Sequence, residues 1–191
     1  MNRAAKSPKM KISFVTQNPA KFAVMQNVVR STTIQIEHHP LMLIEPQLNT
    51  VAEVARAKAR EAYNSIGNIC IVEDTGFEID ELAGFPGPYT RYITETIGLE
   101  GVMRLASPLT NRTCSFISAL VLSLDYKQTE LFTATISGRL ASNIGSGDTG
   151  KVWSPLVQAF IPHGYNQCLS EFTDEEFKSF MAQMSLHSTY V

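Results

Sequence analysis

Residues 69–92 read ICIVEDTGFEIDELAGFPGPYTRY. Ile69, Cys70, Ile71 and Val72 form a short apolar run of the kind that makes a buried strand. The run ends in two carboxylates, Glu73 and Asp74, followed by Thr75 and Gly76. Acids at the end of a buried strand are costly unless something cationic meets them. Mg²⁺ is a natural candidate, because a hard cation takes oxygen ligands and bridges carboxylate to phosphate. A solvated turn is the plainer alternative. Gly84-Phe85-Pro86-Gly87-Pro88 then reads as a turn stiffened by two prolines, with glycines where the backbone bends unusually.

Upstream, residues 11–16 (KISFVT) read as a first strand running into Gln17-Asn18-Pro19-Ala20-Lys21. Phe22, Met25 and Val29 recur at helical spacing to about Ser31. A strand–turn–helix offers backbone N–H groups and a helix dipole at the turn, which suits an anion. Lys21 in the first helical turn is either a phosphate contact or an ordinary solvated lysine. Residues 33–36 read as a second strand, and His38 and His39 as solvated loop histidines. Thr50-Val51-Ala52-Glu53 fits a capping box opening a helix to about Ser65. Val51, Val54, Ala55, Lys58, Ala59 and Ala62 share one face of it, so Lys58 either points at a ligand or snorkels from the core edge.

Downstream, residues 91–107 read as helical with an interruption near Gly98 and Gly101. Residues 116–124 and 131–140 read as two long strands joined by a polar hairpin; Phe132, Ala134 and Ile136 alternate with Thr133, Thr135 and Ser137. Residues 143–150 form a Gly/Ser/Asp loop without the Gly-Lys-Ser/Thr of a Walker motif. Thr173-Asp174-Glu175-Glu176 fits a second capping box, after which Phe177, Phe180, Met181 and Met184 trace a helical stripe that reads as core packing.

The chain has 191 residues, 44% hydrophobic and 18% charged, which suits a single globular domain over 1–191 with a loose tail at 1–9. A formal net charge of −2 argues against nonspecific nucleic-acid binding. Cys70, Cys114 and Cys168 are odd in number and lack CxxC spacing, pointing to a reducing compartment and no structural zinc. No secretory signal or membrane-length apolar run is evident, so the expectation is a soluble cytoplasmic protein without a membrane partner.

The run VEDTGFEIDELAGFPGPYTRY resembles the signature of the inosine triphosphate pyrophosphatase (ITPase) family, and a weaker resemblance extends along nearly the whole chain. It implies an α/β fold: a twisted mixed central sheet flanked by helices, with a cleft between two lobes. It also implies a homodimer that uses Mg²⁺ to cut nucleoside triphosphates to monophosphate and pyrophosphate. Thr16, Asn18 and Lys21 match a family loop that grips the triphosphate, with Gln17 where the family has glycine. Glu45, in Glu45-Pro46-Gln47, matches a metal ligand, and Lys58 a lysine facing the phosphates. The resemblance thus implies Glu45 and Asp74 as metal ligands and Asp74 or Glu73 as the group assisting water. Thr16, Asn18, Lys21, Lys58 and Thr75 would contact the triphosphate.

The pattern breaks in the C-terminal third. Where the family has Phe-Gly-Trp/Tyr-Asp-Pro, this chain has Lys151-Val152-Trp153-Ser154-Pro155. Trp153 could stack on a base or simply pack. The family's lysine and Ser-His-Arg triplet fall on Phe177 and on Met181-Ala182-Gln183. Lys178 lies one place off, and Ser185-Leu186-His187 could mimic the triplet only with an insertion. A site that reads a base by hydrogen bonds loses discrimination when its donors go. The expectation is altered base selectivity; a relative that binds a nucleotide or protein without turnover is the alternative.

Overall fold

The computed structural model describes residues 9–147, 153–185 and 189–190; residues 1–8 of the expected tail lie outside the described residues. The chain begins with β1 (Met10–Val15), α1 (Pro19–Val29), β2 (Ile34–His39), α2 (Val51–Ile66) and β3 (Cys70–Ile79). It continues through β4 (Pro86–Gly87), α3 (Thr90–Thr96), α4 (Gly98–Ala106), β5 (Thr113–Ser123) and β6 (Thr129–Leu140). It closes with β7 (Phe160–Pro162), α5 (Asp174–Ser185) and β8 (Thr189–Tyr190). The strands form one mixed sheet in the order β2-β1-β3-β5-β6-β7, with β4 paired to β3 and β8 to β6. Among the described residues, only the β1–β2 and β1–β3 pairings are parallel.

Those two parallel pairings determine where the helices go. β2 and β3 flank β1 on opposite sides, so the crossovers through α1 and α2 run in opposite directions. Because such connections are right-handed, the two helices must cover opposite faces of the sheet. The packing agrees. Phe22, Met25 and Val29 of α1 pack with Ile12, Phe14 and Ile71, whereas Val51, Ala55, Ala59 and Ala62 of α2 pack with Cys70, Val72 and Val121. A third cluster fills the other end of the sheet on the α1 side, around Phe77, Phe116, Phe160, Leu156 and Phe180. Phe116 meets Phe77 and Phe160 edge-on at centroid distances of 4.8 and 5.0 Å. Such contacts add about 0.5–1.5 kcal/mol each beyond burial.

Both capping boxes form. The Thr50 hydroxyl accepts from Glu53 N at 3.1 Å while Glu53 Oε2 accepts from Thr50 N at 3.0 Å. Thr173 and Glu176 repeat the exchange at 3.2 and 2.8 Å. The stripe on α5 is core packing where described: Phe180 is buried and Phe177 and Met181 lean on the same cluster.

Two expectations are corrected. The strand expected to end at Val72 runs on to Ile79, because β5 pairs with it residue for residue from Cys70 to Ile79. Glu73, Asp74, Thr75 and Gly76 in succession make a weak strand, but the ladder with β5 pairs all four along one edge and overrides propensity. The two histidines are not loop residues. His38 and His39 end β2, paired with Phe14 and Val15, and the His38 ring stacks on Phe22 at 4.3 Å.

Candidate active site

β1 pairs with β3 only as far as Val15 and Val72. Beyond that point β1 turns away into α1 while β3 continues, so residues 73–75 present one backbone edge beside the β1–α1 turn. A crevice at the carboxyl end of a parallel strand, where neighbouring connections diverge, is where open α/β sheets bind ligands. Successive strand residues alternate faces. Asp74 therefore points to the α2 side and Glu73 and Thr75 to the α1 side.

On the α2 side, Lys58 Nζ lies 2.9 Å from Asp74 Oδ1 and 2.8 Å from Glu45 Oε1. The Lys58 and Asp74 side chains are only 11% and 12% exposed. Burial raises the Asp74 pKa above its ordinary value; the Lys58 charge and hydrogen bond oppose this without cancelling it. Burial likewise works against the Lys58 ammonium, but the Asp74 charge and the bonds to Asp74 and Glu45 together outweigh it, and its pKa rises. For Glu45, burial pushes upward and the contacts with Lys58 push further downward, leaving it lowered. The contact with Lys58 thus favours the charged form of both carboxylates, and of the two only Asp74 is carried upward, by its deeper burial.

On the α1 side, Lys21 Nζ donates to Thr75 Oγ1 at 2.9 Å and stands 3.7 Å from Glu73 Oε2. Glu73 Oε1 accepts from Thr75 Oγ1 at 3.0 Å and from Ser118 Oγ at 2.7 Å. Lys21 also lowers the pKa of Asp74 and of Glu45, so its charge is felt on both sides of the strand.

The β1–α1 turn is ordered by its own side chains. Asn18 caps α1, its Oδ1 accepting from Ala20 N and Lys21 N at 2.9 and 3.3 Å. Thr16 Oγ1 accepts from Asn18 N at 3.1 Å, and His38 Nε2 lies 2.8 Å from Thr16 O. Gln17 causes no backbone strain: among the described non-glycine residues, positive φ occurs at Ala83.

The proline-rich turn serves as a brace. Thr90 Oγ1 accepts from Phe77 N at 2.7 Å and donates to Gly87 O at 2.6 Å, tying the turn back onto β3. Gly76 makes this fit possible, since a Cβ there would sit 2.5 Å from Val51 Cγ2 and 2.7 Å from Gly87 O. An open depression of about 570 Å³ lies between the turn and the Asp74 face, lined by Glu45, Val54, Asp74, Phe85, Arg91 and Tyr92 among others.

The base-side candidates stand apart from this depression. Trp153 is half-buried, edge-on to Phe116 at 5.8 Å and tilted against Phe177 at 6.3 Å. Ser154 Oγ accepts from Leu156 N at 3.3 Å, capping a short turn. Lys178 is exposed on α5. Lys151, Val152, Leu186 and His187 lie outside the described residues.

The donor set suits the expected Mg²⁺. Glu45 and Asp74 converge on a single nitrogen, so a cation already bridges them, and both supply hard oxygen ligands. Among the described residues no group of three or more His, Cys, Asp or Glu could hold a metal ion. Magnesium commonly takes just one or two carboxylates and completes its shell with water and substrate phosphates.

The Ham1 family model matches residues 12–183. The chain belongs to the Ham1 family. This bears out the resemblance drawn from the signature run. A dITP/XTP pyrophosphatase of Methanopyrus kandleri is 35% identical over 167 residues, covering 87% of each chain. One of Saccharolobus solfataricus is 32% identical, covering 87% of this chain and 84% of that protein. Among solved structures, a HAM1 protein from Coxiella burnetii superposes with a TM-score of 0.79 at 20% identity, covering 93% of this chain and 95% of that one. A nucleoside-triphosphatase, or dITP/XTP pyrophosphatase, from Mycobacterium abscessus gives 0.75 at 22% identity, covering 93% and 97%.

Within this Ham1 fold, the residues read from sequence fall into two groups. Glu45, Lys58 and Asp74 meet on one side of β3; Lys21, Glu73 and Thr75 meet on the other. Three neighbours carried no signal in the sequence. Ser118 is an unremarkable strand serine 45 residues from Glu73. Arg91, 3.9 Å from Glu45, lies at the end of the signature run, 46 residues along the chain from its partner, with no motif of its own. Glu61 Oε2 accepts from Ile44 N at 2.8 Å and so steadies the segment carrying Glu45.

Proposed function

We propose that this chain is a Mg²⁺-dependent nucleoside triphosphate pyrophosphatase, cutting its substrate to monophosphate and pyrophosphate with altered base selectivity. The observation that carries this reading is the Glu45–Lys58–Asp74 cluster on β3 beside the carboxyl end of β1, with Lys21 reaching β3 from the opposite face. The activity for which the Methanopyrus and Saccharolobus relatives are named supports the reaction class.

Glu45 and Asp74 would hold the metal, which supplies charge compensation for the phosphates and a polarised water. The chain's own groups do the rest. Lys21 and Lys58 are cations aimed at the crevice and would offset charge developing on the leaving pyrophosphate. Asn18 has committed its Oδ1 to the helix cap and retains its amide N–H donors for a phosphate oxygen; the Thr16 hydroxyl proton is likewise free to be donated. Asp74 Oδ1 is held by Lys58, leaving Oδ2 as the atom to take a proton from attacking water. Its raised pKa brings the carboxylate closer to the range in which a general base is efficient.

At the base end, Trp153 and Lys178 are the candidate contacts. The family's hydrogen-bonding positions are occupied by side chains with other commitments: Ser154 caps a turn, and Phe177 and Met181 pack in the core. This supports weakened selection among bases rather than loss of turnover. The three described cysteines are free and buried, which supports a reducing compartment, the cytoplasm, for a single-domain protein working as a homodimer. The test is pyrophosphate release from a panel of nucleoside triphosphates, with Mg²⁺ and with a chelator. No pyrophosphate from any nucleotide, or undiminished release under chelation, defeats the proposal.

A further inference from the structure

We propose that Ser118 is a positioning residue for the triphosphate grip, acting through Glu73 and Thr75 on the Lys21 ammonium. This rests on the pyrophosphatase reading and adds to it a residue on a different strand. Ser118 stands directly across from Thr75 in the β3–β5 ladder, so both side chains leave the sheet on the α1 face. Its hydroxyl lies 2.7 Å from Glu73 Oε1, and Thr75 Oγ1 lies 3.0 Å from the same oxygen.

The chemistry sets the direction of each bond. An ionised carboxylate only accepts, so both hydroxyls must donate to Glu73. An ammonium only donates, so Thr75 Oγ1 must accept from Lys21, 2.9 Å away. Thr75 then has no proton left for a phosphate, and its part is to aim Lys21. Glu73 sits behind this arrangement, 3.7 Å from the Lys21 nitrogen and across the strand from Asp74. Remove the Ser118 hydroxyl and Glu73 loses one of two donors holding its carboxylate. The carboxylate is then free to turn toward Lys21 and draw the ammonium out of line.

The test is a double-mutant cycle on Ser118→Ala and Lys21→Ala, read in KM and kcat and in the affinity of a non-hydrolysable triphosphate analogue against the monophosphate. Loss of a hydrogen bond to a charged group should raise KM and the analogue Kd about tenfold. The fall in kcat should be smaller, and monophosphate affinity should change less than about twofold, since the effect runs through a phosphate-gripping charge. Ser118→Thr, which keeps the hydroxyl on a strand-compatible side chain, should restore the parent KM. In the Lys21→Ala background, Ser118→Ala should add nothing, since residues acting through one another are non-additive.

An active parent with an unchanged Ser118→Ala variant, or full additivity with Lys21→Ala, overturns the inference while leaving the pyrophosphatase reading standing. So does equal weakening of triphosphate and monophosphate. A parent that neither binds nor cleaves triphosphates takes down both.

Discussion

Glu73 and Asp74 are consecutive in the chain and are neutralised from opposite faces of the sheet. Lys58 of α2 is 2.9 Å from Asp74, while Lys21 of α1 is 3.7 Å from Glu73. What reads as one acidic pair is two separate ion pairs divided by a strand. Of the two, only Asp74 shares its partner with Glu45, so the two acids sit in different surroundings.

Asp74→Asn keeps the shape and removes the negative charge. Hydrolysis should fall by at least the roughly 10²–10⁴-fold that a lost general base costs, while nucleotide binding weakens much less. Steady-state pyrophosphate release on the purified variant measures this. Activity within about tenfold of the parent, well short of that range, would remove Asp74 from the mechanism.

The acid limb of the pH profile should belong to Asp74. The group works ionised, and burial raises its pKa above the ordinary 3.8, with Lys58 pulling the other way. Activity is therefore full above the raised pKa and lost as pH falls through it. Lys58→Met takes away the opposing charge, so the limb of kcat/KM should move to higher pH. A limb at or below 3.8, or one displaced downward in Lys58→Met, contradicts the assignment.

Lys21→Ala and Lys58→Ala should each weaken a triphosphate far more than the matching monophosphate. Calorimetric titration of the two ligands makes the comparison. Equal losses for both would return the lysines to an ordinary structural role.

Gly76→Ala tests the brace. The added methyl would meet Val51 Cγ2 at 2.5 Å and the Gly87 carbonyl oxygen at 2.7 Å, neither of them the loose end of a long side chain. Overpacking of this kind costs about 1–3 kcal/mol. Denaturant unfolding should show a reduced midpoint with little change in slope. An unaltered midpoint would mean that the turn can withdraw from β3 at no cost.

Base preference should be shallow. The side chains at Ser154, Phe177, Met181, Ala182 and Gln183 differ from those the resemblance calls for. Each missing hydrogen bond to the base is worth about 1–3 kcal/mol when its partner is left unpaired. Values of kcat/KM for inosine triphosphate, ATP, GTP and the pyrimidine triphosphates should lie within about a hundredfold, the range left when such bonds are absent. A larger preference for inosine triphosphate would mean that other residues have rebuilt the pocket.

Local chemistry was legible in the residues themselves. Thr50 with Glu53 and Thr173 with Glu176 announce their helix starts, and both boxes form because all the atoms involved lie within one turn. The acids were legible as a site for the same reason. Their division was not, because it depends on β3 continuing through Glu73-Asp74-Thr75-Gly76, where Asp and Gly disfavour a strand and the distant β5 supplies the ladder. Ser118 was hidden by the same distance, and His38 because nothing local foretells stacking on a helix that precedes it in the chain.

The ladder between β3 and β5 gives this strand a reading frame. Every residue from Cys70 to Ile79 is matched to a partner, and odd and even positions answer to different helices. One residue inserted or deleted just ahead of Glu73 would shift the frame, handing Lys21 the wrong carboxylate and turning Phe77 away from its aromatic cluster. The composition would hardly change, yet site and core would fail together. Change in length should therefore be borne by the hairpin and the connecting loops rather than by β3.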